Sequence, residues 1–315
     1  MRPLKPREKR MLVYLGIFLA IVAWDTARRR WSPDIVQETE HYTIFSTATP
    51  DQTAEIGRVA EIVYAGYRQL ADQLDCEIGS HPKLKIKLFK DREEFKHCNR
   101  VAGWAEAFYR KPYCYQYYSS EEVHPYHWMM HEATHQLNAE VAHLKLPQWL
   151  DEGLACYVGT SRIVDGSLAL GRIDTNTYPI WWLGSMATSG DLESDKGNAS
   201  IIPLRRIVAG RGGPDIDDYF NLYYLHWWSL AHFLMEYQDG LYRPGLRHLL
   251  AAERADLSAF EEHIGQVDTI ETQWYQHILD LKQDLAGRGT LSPKWELQGA
   301  VDEAGMTGGT KDHER

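Results

Sequence analysis

The sequence lacks several features that would assign a function at once. It has no glycine-rich loop of the kind that holds phosphate groups, no internal repeat, and no long apolar run after residue 24. The four cysteines, Cys76, Cys98, Cys114 and Cys156, form no CxxC pair, so neither a zinc ribbon nor a thioredoxin-like site is predicted. Buried free thiols and a single disulfide between Cys98 and Cys114 are both compatible with this pattern.

Acidic residues outnumber basic ones outside the N-terminus. The 315 residues carry a net charge of −10, but residues 1–30 hold eight Lys and Arg against two acidic residues, which leaves −16 for the rest. An acidic body offers no basic surface to phosphate backbones, so we expect no nucleic-acid partner. Hydrophobic residues make up 44% of the chain, which is enough for a core and excludes a disordered protein.

The first 30 residues have the pattern of a membrane-targeting segment. The basic stretch MRPLKPREKR precedes an apolar run at 11–24, MLVYLGIFLAIVAW. The excess of positive charge before the run predicts a cytoplasmic N-tail and an uncleaved signal anchor. The expected protein is single-pass in the cell inner membrane, with its catalytic body on the periplasmic side. The alternative is secretion after cleavage, because 14 apolar residues also fit the h-region of a signal peptide.

The body begins with alternating strand and helix patterns. Strand patterns occur at 41–47, 83–89 and 106–118, the last as two strands joined at Lys111-Pro112. Helix patterns occur at 49–74, after an N-cap threonine and a first-turn proline, and at 91–98. From about residue 122 the pattern is mostly helical. We therefore expect an α+β fold, with the body at 31–286 and a mobile tail at 287–315.

Residues 131–135, HEATH, place two histidines one helical turn apart. The preceding Pro125 favours a helix start, and the stripe Tyr126, Met130, Ala133 and Leu137 suits a core-facing side. His131 and His135 lie on another stripe, so their rings can converge on one ion.

A second predicted helix begins at Pro147 and carries Glu152, with 16 residues between His135 and Glu152. Glu152 can supply the third zinc ligand, and Gly153 beside it would let the two helices approach closely. Glu132 is offset from the ligand stripe but well placed for a base that activates the zinc-bound water. The residues predict one Zn²⁺ per chain. The alternative is a chance HExxH among polar residues on two surface helices.

The stretch HEATHQL followed by WLDEGLACY resembles the gluzincin metallopeptidases, the peptidase MA-like superfamily. In the aminopeptidase N family the second motif is Trp-Leu-Asn-Glu-Gly-Phe-Ala, and here Asp151 stands in place of Asn. The chain lacks that family's N-terminal β domain and its Gly-Ala-Met-Glu-Asn stretch, so it is more similar to small bacterial MA-like proteins. The resemblance implies His131, His135 and Glu152 as zinc ligands and Glu132 as base.

The resemblance also implies a zincin-like fold, with a small twisted sheet and helices in an N-terminal lobe and a helical C-terminal lobe around an active-site cleft. The edge strand of such a sheet borders the cleft and can pair with an extended peptide. The segment from Pro112 to Tyr118 is in the corresponding place and is the expected substrate-binding strand. An aromatic hairpin packed on the core is the alternative.

In MA-like relatives a tyrosine that opens a later helix lies near the zinc. Matching HFL at 232–234 assigns this position to Tyr224, whose phenol could donate to the oxyanion of the reaction. Tyr223 and His226 are alternatives, and so is a buried aromatic helix without a catalytic role.

These residues predict a zinc metallopeptidase that hydrolyses peptide bonds of peptides or proteins in the cell envelope. Two other functions are compatible with the same residues. One is an inactive zinc-site scaffold that binds envelope proteins. The other is a zinc hydrolase that acts on peptidoglycan.

Overall fold

A computed structural model describes residues 31–287, except 103, 104, 120, 121 and 253, and also residues 11, 14–16 and 18. In this part of the chain the strands are β1 (Ile35–Glu38), β2 (Tyr42–Ser46), β3 (Leu84–Phe89), β4 (Phe108–Arg110), β5 (Tyr113–Tyr117), β6 (Ser161–Val164) and β7 (Ser167–Ile173). The α-helices are α1 (Pro50–Gln73), α2 (Arg92–Cys98), α3 (His127–Glu140), α4 (Gln148–Gly159), α5 (Leu192–Gly197), α6 (Leu204–Ala209), α7 (Phe220–Glu236), α8 (Arg243–Ala251), α9 (Leu257–His263) and α10 (Val267–Gly287). The predicted α+β class is confirmed.

Strands β1 to β5 form one mixed sheet in the order β1-β2-β3-β5-β4. The three central strands, β2, β3 and β5, are parallel to one another, and each outer strand is antiparallel to the strand beside it. Helix α1 connects β2 to β3, because adjacent parallel strands need a crossover. Alternate residues of these two strands are buried, so their side chains form a core face under the helices; they are Tyr42, Ile44, Ser46, Leu84, Ile86 and Leu88. The predicted alternation is confirmed.

Helix α1 begins with a capping box. The Thr49 hydroxyl accepts a hydrogen bond from the backbone N–H of Gln52, whose side chain accepts one from the N–H of Thr49. These bonds satisfy two donors that the first turn leaves unpaired, and Pro50 fits the first helical position. The prediction of a helix over 49–74 is confirmed to within one residue at each end.

The segment from Pro112 to Tyr118 was predicted to be the edge strand of the sheet, and this prediction is wrong. It forms β5, which lies between β3 and β4, and the edge strand is β4. Both strands of this hairpin are rich in aromatic residues, so composition does not distinguish them. The order of the two strands depends on which of them pairs with β3, and that is a contact between distant parts of the chain.

The sequence patterns did not predict β1 or the hairpin β6–β7. Strand β1 has only four residues, and the side chain of Val36 within it is 59% exposed. It therefore lacks the alternation of buried apolar and exposed polar residues that predicts a strand. The hairpin turns at Asp165 and Gly166, both with positive φ (49° and 74°). Asp-Gly is the dipeptide that such a turn favours, and it was present in a region interpreted as helical.

The predicted membrane anchor is corrected by the structure. No helix among the described residues is long and apolar enough to cross a membrane. The predicted run at 11–24 is described only in part, and its length is short of the ~20 residues that a spanning helix needs. The prediction of a single-pass membrane protein with a periplasmic body was therefore wrong. The predicted tail, apart from its first residue Gly287, lies outside the described residues.

The cysteines do not form the disulfide considered from the sequence. All four are free thiols, and Cys114 and Cys156 are buried. The pairing of Cys98 with Cys114 is therefore wrong. Burial of two thiols in the core fits the behaviour of cysteine as a small apolar residue.

Candidate metal centre

His131, His135 and Glu152 converge on one point between α3 and α4. The Nε2 atoms of the two histidines are 3.2 Å apart, and Glu152 Oε2 is 3.3 Å from His131 Nε2 and 3.5 Å from His135 Nε2. Ligand atoms ~2.0–2.1 Å from a tetrahedral zinc ion lie about 3.3 Å from one another. The three atoms therefore form a triangle of the size that one face of a zinc tetrahedron requires. Within the described residues, this is the one group of three or more His, Cys, Asp or Glu side chains with such convergence.

The donor chemistry of this triad also fits a metal ion. Glu152 Oε2 is buried and, although it lies at ion-pair distance from both rings, it makes no hydrogen bond. Burial would raise the pKa of Glu152, but the two imidazoles lower it well below its ordinary value, so the carboxylate is charged. A buried charged oxygen that accepts no hydrogen bond is costly, and a divalent cation bound by all three atoms would remove that cost.

A chain of hydrogen bonds holds the outer nitrogen of His135. Asp151 Oδ2 lies 3.0 Å from His135 Nδ1, and Asp151 Oδ1 accepts a hydrogen bond of 2.9 Å from Asn138. Asn138 in turn accepts one of 2.7 Å from the hydroxyl of buried Tyr67 on α1. With its Nδ1 proton bound to a carboxylate, His135 presents Nε2 to the centre as an acceptor. Asp151 was noted in the sequence as a departure from a family motif, but no role was assigned to it.

We expect Asp151→Ala to lower zinc affinity by ~10–100-fold, since it removes the partner that orients His135. Asp151→Asn should lose less, because its amide oxygen can still accept the Nδ1 proton. Competition with a coloured zinc chelator measures both constants. Equal zinc affinity in the wild type and Asp151→Ala would contradict this role.

His131 has a different outer partner. Its Nδ1 lies 3.6 Å from the sulfur of Cys156, which follows Glu152 by one turn of α4. Burial raises the pKa of the Cys156 thiol well above its ordinary value, and the nearby carboxylates of Glu152 and Glu132 raise it further. The thiol therefore stays protonated, which makes it a packing and hydrogen-bonding neighbour of His131.

Glu132 is fixed by the edge strand of the sheet. Its Oε2 accepts a hydrogen bond of 2.7 Å from the backbone N–H of Tyr109 on β4. Its carbonyl oxygen lies 3.4 Å from the sulfur of Cys114, under the helix. The bond from Tyr109 holds one carboxylate oxygen and leaves Oε1 for other chemistry.

The aromatic helix α7 brings Tyr224 to the centre and turns the two alternatives away. The Tyr224 ring lies 6.3 Å from the ring of His131, and burial, with Glu152 nearby, raises the pKa of its hydroxyl.

Tyr223 donates its hydroxyl to the carbonyl of Pro214 at 2.9 Å. His226 is fully buried, between the Ile202 N–H and the Leu222 carbonyl. Neither Tyr223 nor His226 faces the triad.

Two glycines of α4 allow close helix packing around the triad. A Cβ on Gly153 would lie 2.8 Å from the carbonyl oxygen of Trp227, and one on Gly159 would lie 3.3 Å from the Cβ of His131. The close approach predicted at Gly153 therefore involves α7, and Gly159 provides the contact with α3. Sequence alone identified a tight contact but not the correct partner.

A cavity of about 600 Å³ opens beside the triad. Its lining includes all four residues of the zinc-site prediction and Tyr224, together with Asn138 and Asp151. The size is within the usual range of small-molecule and peptide sites. On α3 the lining residues Trp128, His131, His135 and Asn138 follow a spacing of 3, 4 and 3, which is one helix face. That spacing could have identified Trp128 and Asn138 from the sequence.

No protein-family model matches this chain, and no curated protein matches it.

Proposed function

We propose that this protein is a zinc-dependent metallopeptidase of the gluzincin type. The observation that carries the proposal is the triangle of His131, His135 and Glu152 atoms, with edges of 3.2 to 3.5 Å, beside the carboxylate of Glu132. Three protein ligands and an open fourth position are the arrangement of catalytic zinc sites. We also propose that the fold is zincin-like, with a cleft between an N-terminal sheet lobe and a helical C-terminal lobe.

A zinc ion bound there would supply Lewis-acid chemistry, polarising a substrate carbonyl and lowering the pKa of a water molecule. Glu132 would take a proton from the attacking water at Oε1, because Oε2 is held by the N–H of Tyr109. The same carboxylate would then deliver the proton to the nitrogen of the leaving amine. Asp151 would keep His135 in the tautomer that offers Nε2 to the metal.

Tyr224 would donate its hydroxyl hydrogen to the oxygen of the attacked carbonyl. Its raised pKa keeps the hydroxyl protonated, as a donor must be. No described residue forms a hydrogen bond to this hydroxyl, so it is available to substrate. The donor would act mainly in the transition state, where negative charge develops on that oxygen.

Hydrolysis of a mixed peptide library tests the proposal. We expect the purified protein to cleave peptide bonds, to lose this activity after chelation and dialysis, and to recover it with added zinc. Purified peptidoglycan in a parallel reaction distinguishes proteolysis from hydrolysis of cross-links. A zinc-loaded protein that leaves the whole library intact would contradict the proposal.

Tyr224→Phe should lower turnover by ~10²-fold with little change in the Michaelis constant, because the oxyanion exists only in the transition state. The substitution keeps the ring and removes only the hydroxyl, so zinc content and melting temperature should stay near wild type.

Tyr223→Phe is the matched control, since it removes the neighbouring hydroxyl that binds Pro214 outside the centre. It should keep full turnover. Wild-type turnover in Tyr224→Phe would exclude this tyrosine from the chemistry.

A further inference from the structure

The cavity extends to both sides of the triad along α3. Its lining on this helix runs from Trp128 to Ala139, and His131 and His135 lie between them. At 1.5 Å per residue, this stretch covers about 16 Å of helix. An extended chain advances about 3.3 Å per residue, so about five substrate residues fit along it. A substrate can therefore be contacted on both sides of the bond above the triad.

The edge strand supplies another wall of the cavity. Lining residues include Ala107, which precedes β4, and Phe108 and Tyr109, two of the three residues of β4 at the edge of the sheet. The main chain at a sheet edge can pair with an extended peptide, and here the N–H of Tyr109 is already bonded to Glu132, so pairing would use the other main-chain groups of this edge. Two lining positions on this wall, Ala105 and Ala107, have small side chains that leave the passage open.

One end of the cavity has an aromatic wall, formed by Trp128, Tyr178 and Phe220. The rings of Trp128 and Tyr178 are stacked at 5.5 Å, and those of Tyr178 and Phe220 at 6.5 Å. The Tyr178 hydroxyl donates to Asn221 at 3.2 Å, which fixes the middle ring. All three side chains are partly exposed toward the cavity. A concave, partly exposed apolar surface beside a polar centre is typical of a site for an apolar ligand group.

The acidic lining residue outside the triad region, Glu106, is already neutralised. Arg92 donates two hydrogen bonds to it, at 2.6 and 2.8 Å, and Lys96 and Tyr117 donate one each. Burial would raise the pKa of Glu106, but these donors outweigh it and hold the pKa at about 2. Glu106 therefore does not offer an unpaired carboxylate for the ammonium group of a peptide N-terminus, which an aminopeptidase would need.

We infer that the cavity binds an internal segment of an extended polypeptide and receives a large aromatic or aliphatic side chain against the aromatic wall. The protein is thus an endopeptidase that cleaves near a bulky apolar residue. This inference rests on the proposed function, because it assigns a substrate class to the same site.

Blocked peptides test the inference. We would compare acetylated and amidated hexapeptides with the same peptides carrying free termini, and vary one position between Phe and Ala. The expected result is similar kcat/KM with and without the blocking groups, and preference for Phe by about 10-fold or more, the effect of burying one aromatic side chain. Phe220→Ala should abolish most of this preference. Tyr219→Ala, which changes the neighbouring aromatic residue outside the lining, should retain it.

A binding measurement distinguishes failure of this inference from failure of the proposed function. Calorimetry on Glu132→Gln protein should give tighter binding of the blocked Phe peptide than of the Ala peptide, and Phe220→Ala in the same background should remove the difference. If these binding results hold but the wild type hydrolyses nothing, the function is wrong and the apolar site stands. Hydrolysis only of peptides with a free terminus, or with no preference for Phe, would overturn the inference while the metallopeptidase proposal stands. Dependence on a free C-terminus would indicate that the exposed lining residue Lys145 binds the carboxylate.

Discussion

We expect Glu132→Gln to lower peptide hydrolysis by ~10²-fold or more while bound zinc stays at the wild-type level. The amide removes the proton acceptor but keeps the shape of the side chain and an oxygen that can accept the hydrogen bond from Tyr109. The edge strand and helix α3 should therefore keep their positions. Single-turnover kinetics, zinc content and melting temperature, measured on the same preparation, give the three quantities.

Glu140→Gln is the matched control for this variant. Glu140 lies two turns further along α3, where it accepts hydrogen bonds from the Tyr109 hydroxyl and from Gln136, and it does not line the cavity. This control should keep its activity. If Glu132→Gln lost zinc as completely as a ligand variant, Glu132 would hold the ion and its assignment as base would be wrong.

His135→Ala should lose most of the bound zinc. It removes one of three donor atoms, so the affinity should fall by more than the ~10–100-fold expected for loss of an outer partner such as Asp151. Wild-type protein with zinc at 100 times its dissociation constant gains about 2.7 kcal/mol of stability from binding, and the variant should lack this gain. Melting temperatures with and without added zinc measure it.

His97→Ala, which removes an exposed histidine on α2, is the control for a general effect of histidine loss. It should show the wild-type increase in melting temperature on addition of zinc. An equal increase in His135→Ala would contradict the ligand assignment.

Local rules predicted much of the fold because they act within a few residues. The helix start at Thr49 and Pro50 and the alternation in β2 and β3 depend on near neighbours, and both predictions were confirmed. The HExxH spacing puts His131 and His135 on one helix face for the same reason. The assignment of Glu152 as third ligand remains a prediction, but its carboxylate lies at the distance from both rings that the prediction requires.

The parts that could not be predicted depend on contacts between distant residues. Which strand of the 108–117 hairpin pairs with β3 is decided by packing, so the edge was assigned to the wrong strand. The same reason explains why Gly153 was expected to face α3 and in fact contacts Trp227 of α7. The contacts of Asp151 with His135 and of Tyr109 with Glu132 join separate elements, and neither follows from sequence spacing.

Metal content of the purified protein, wild type beside Glu152→Ala, tests the central claim most directly. Both proteins would be loaded with zinc, passed through a desalting column and analysed for metal and for protein. We predict about one zinc per chain for the wild type, as three converging ligands imply, and almost none for Glu152→Ala. Wild-type protein that retains no zinc, or a Glu152→Ala variant that retains as much as the wild type, would contradict the account.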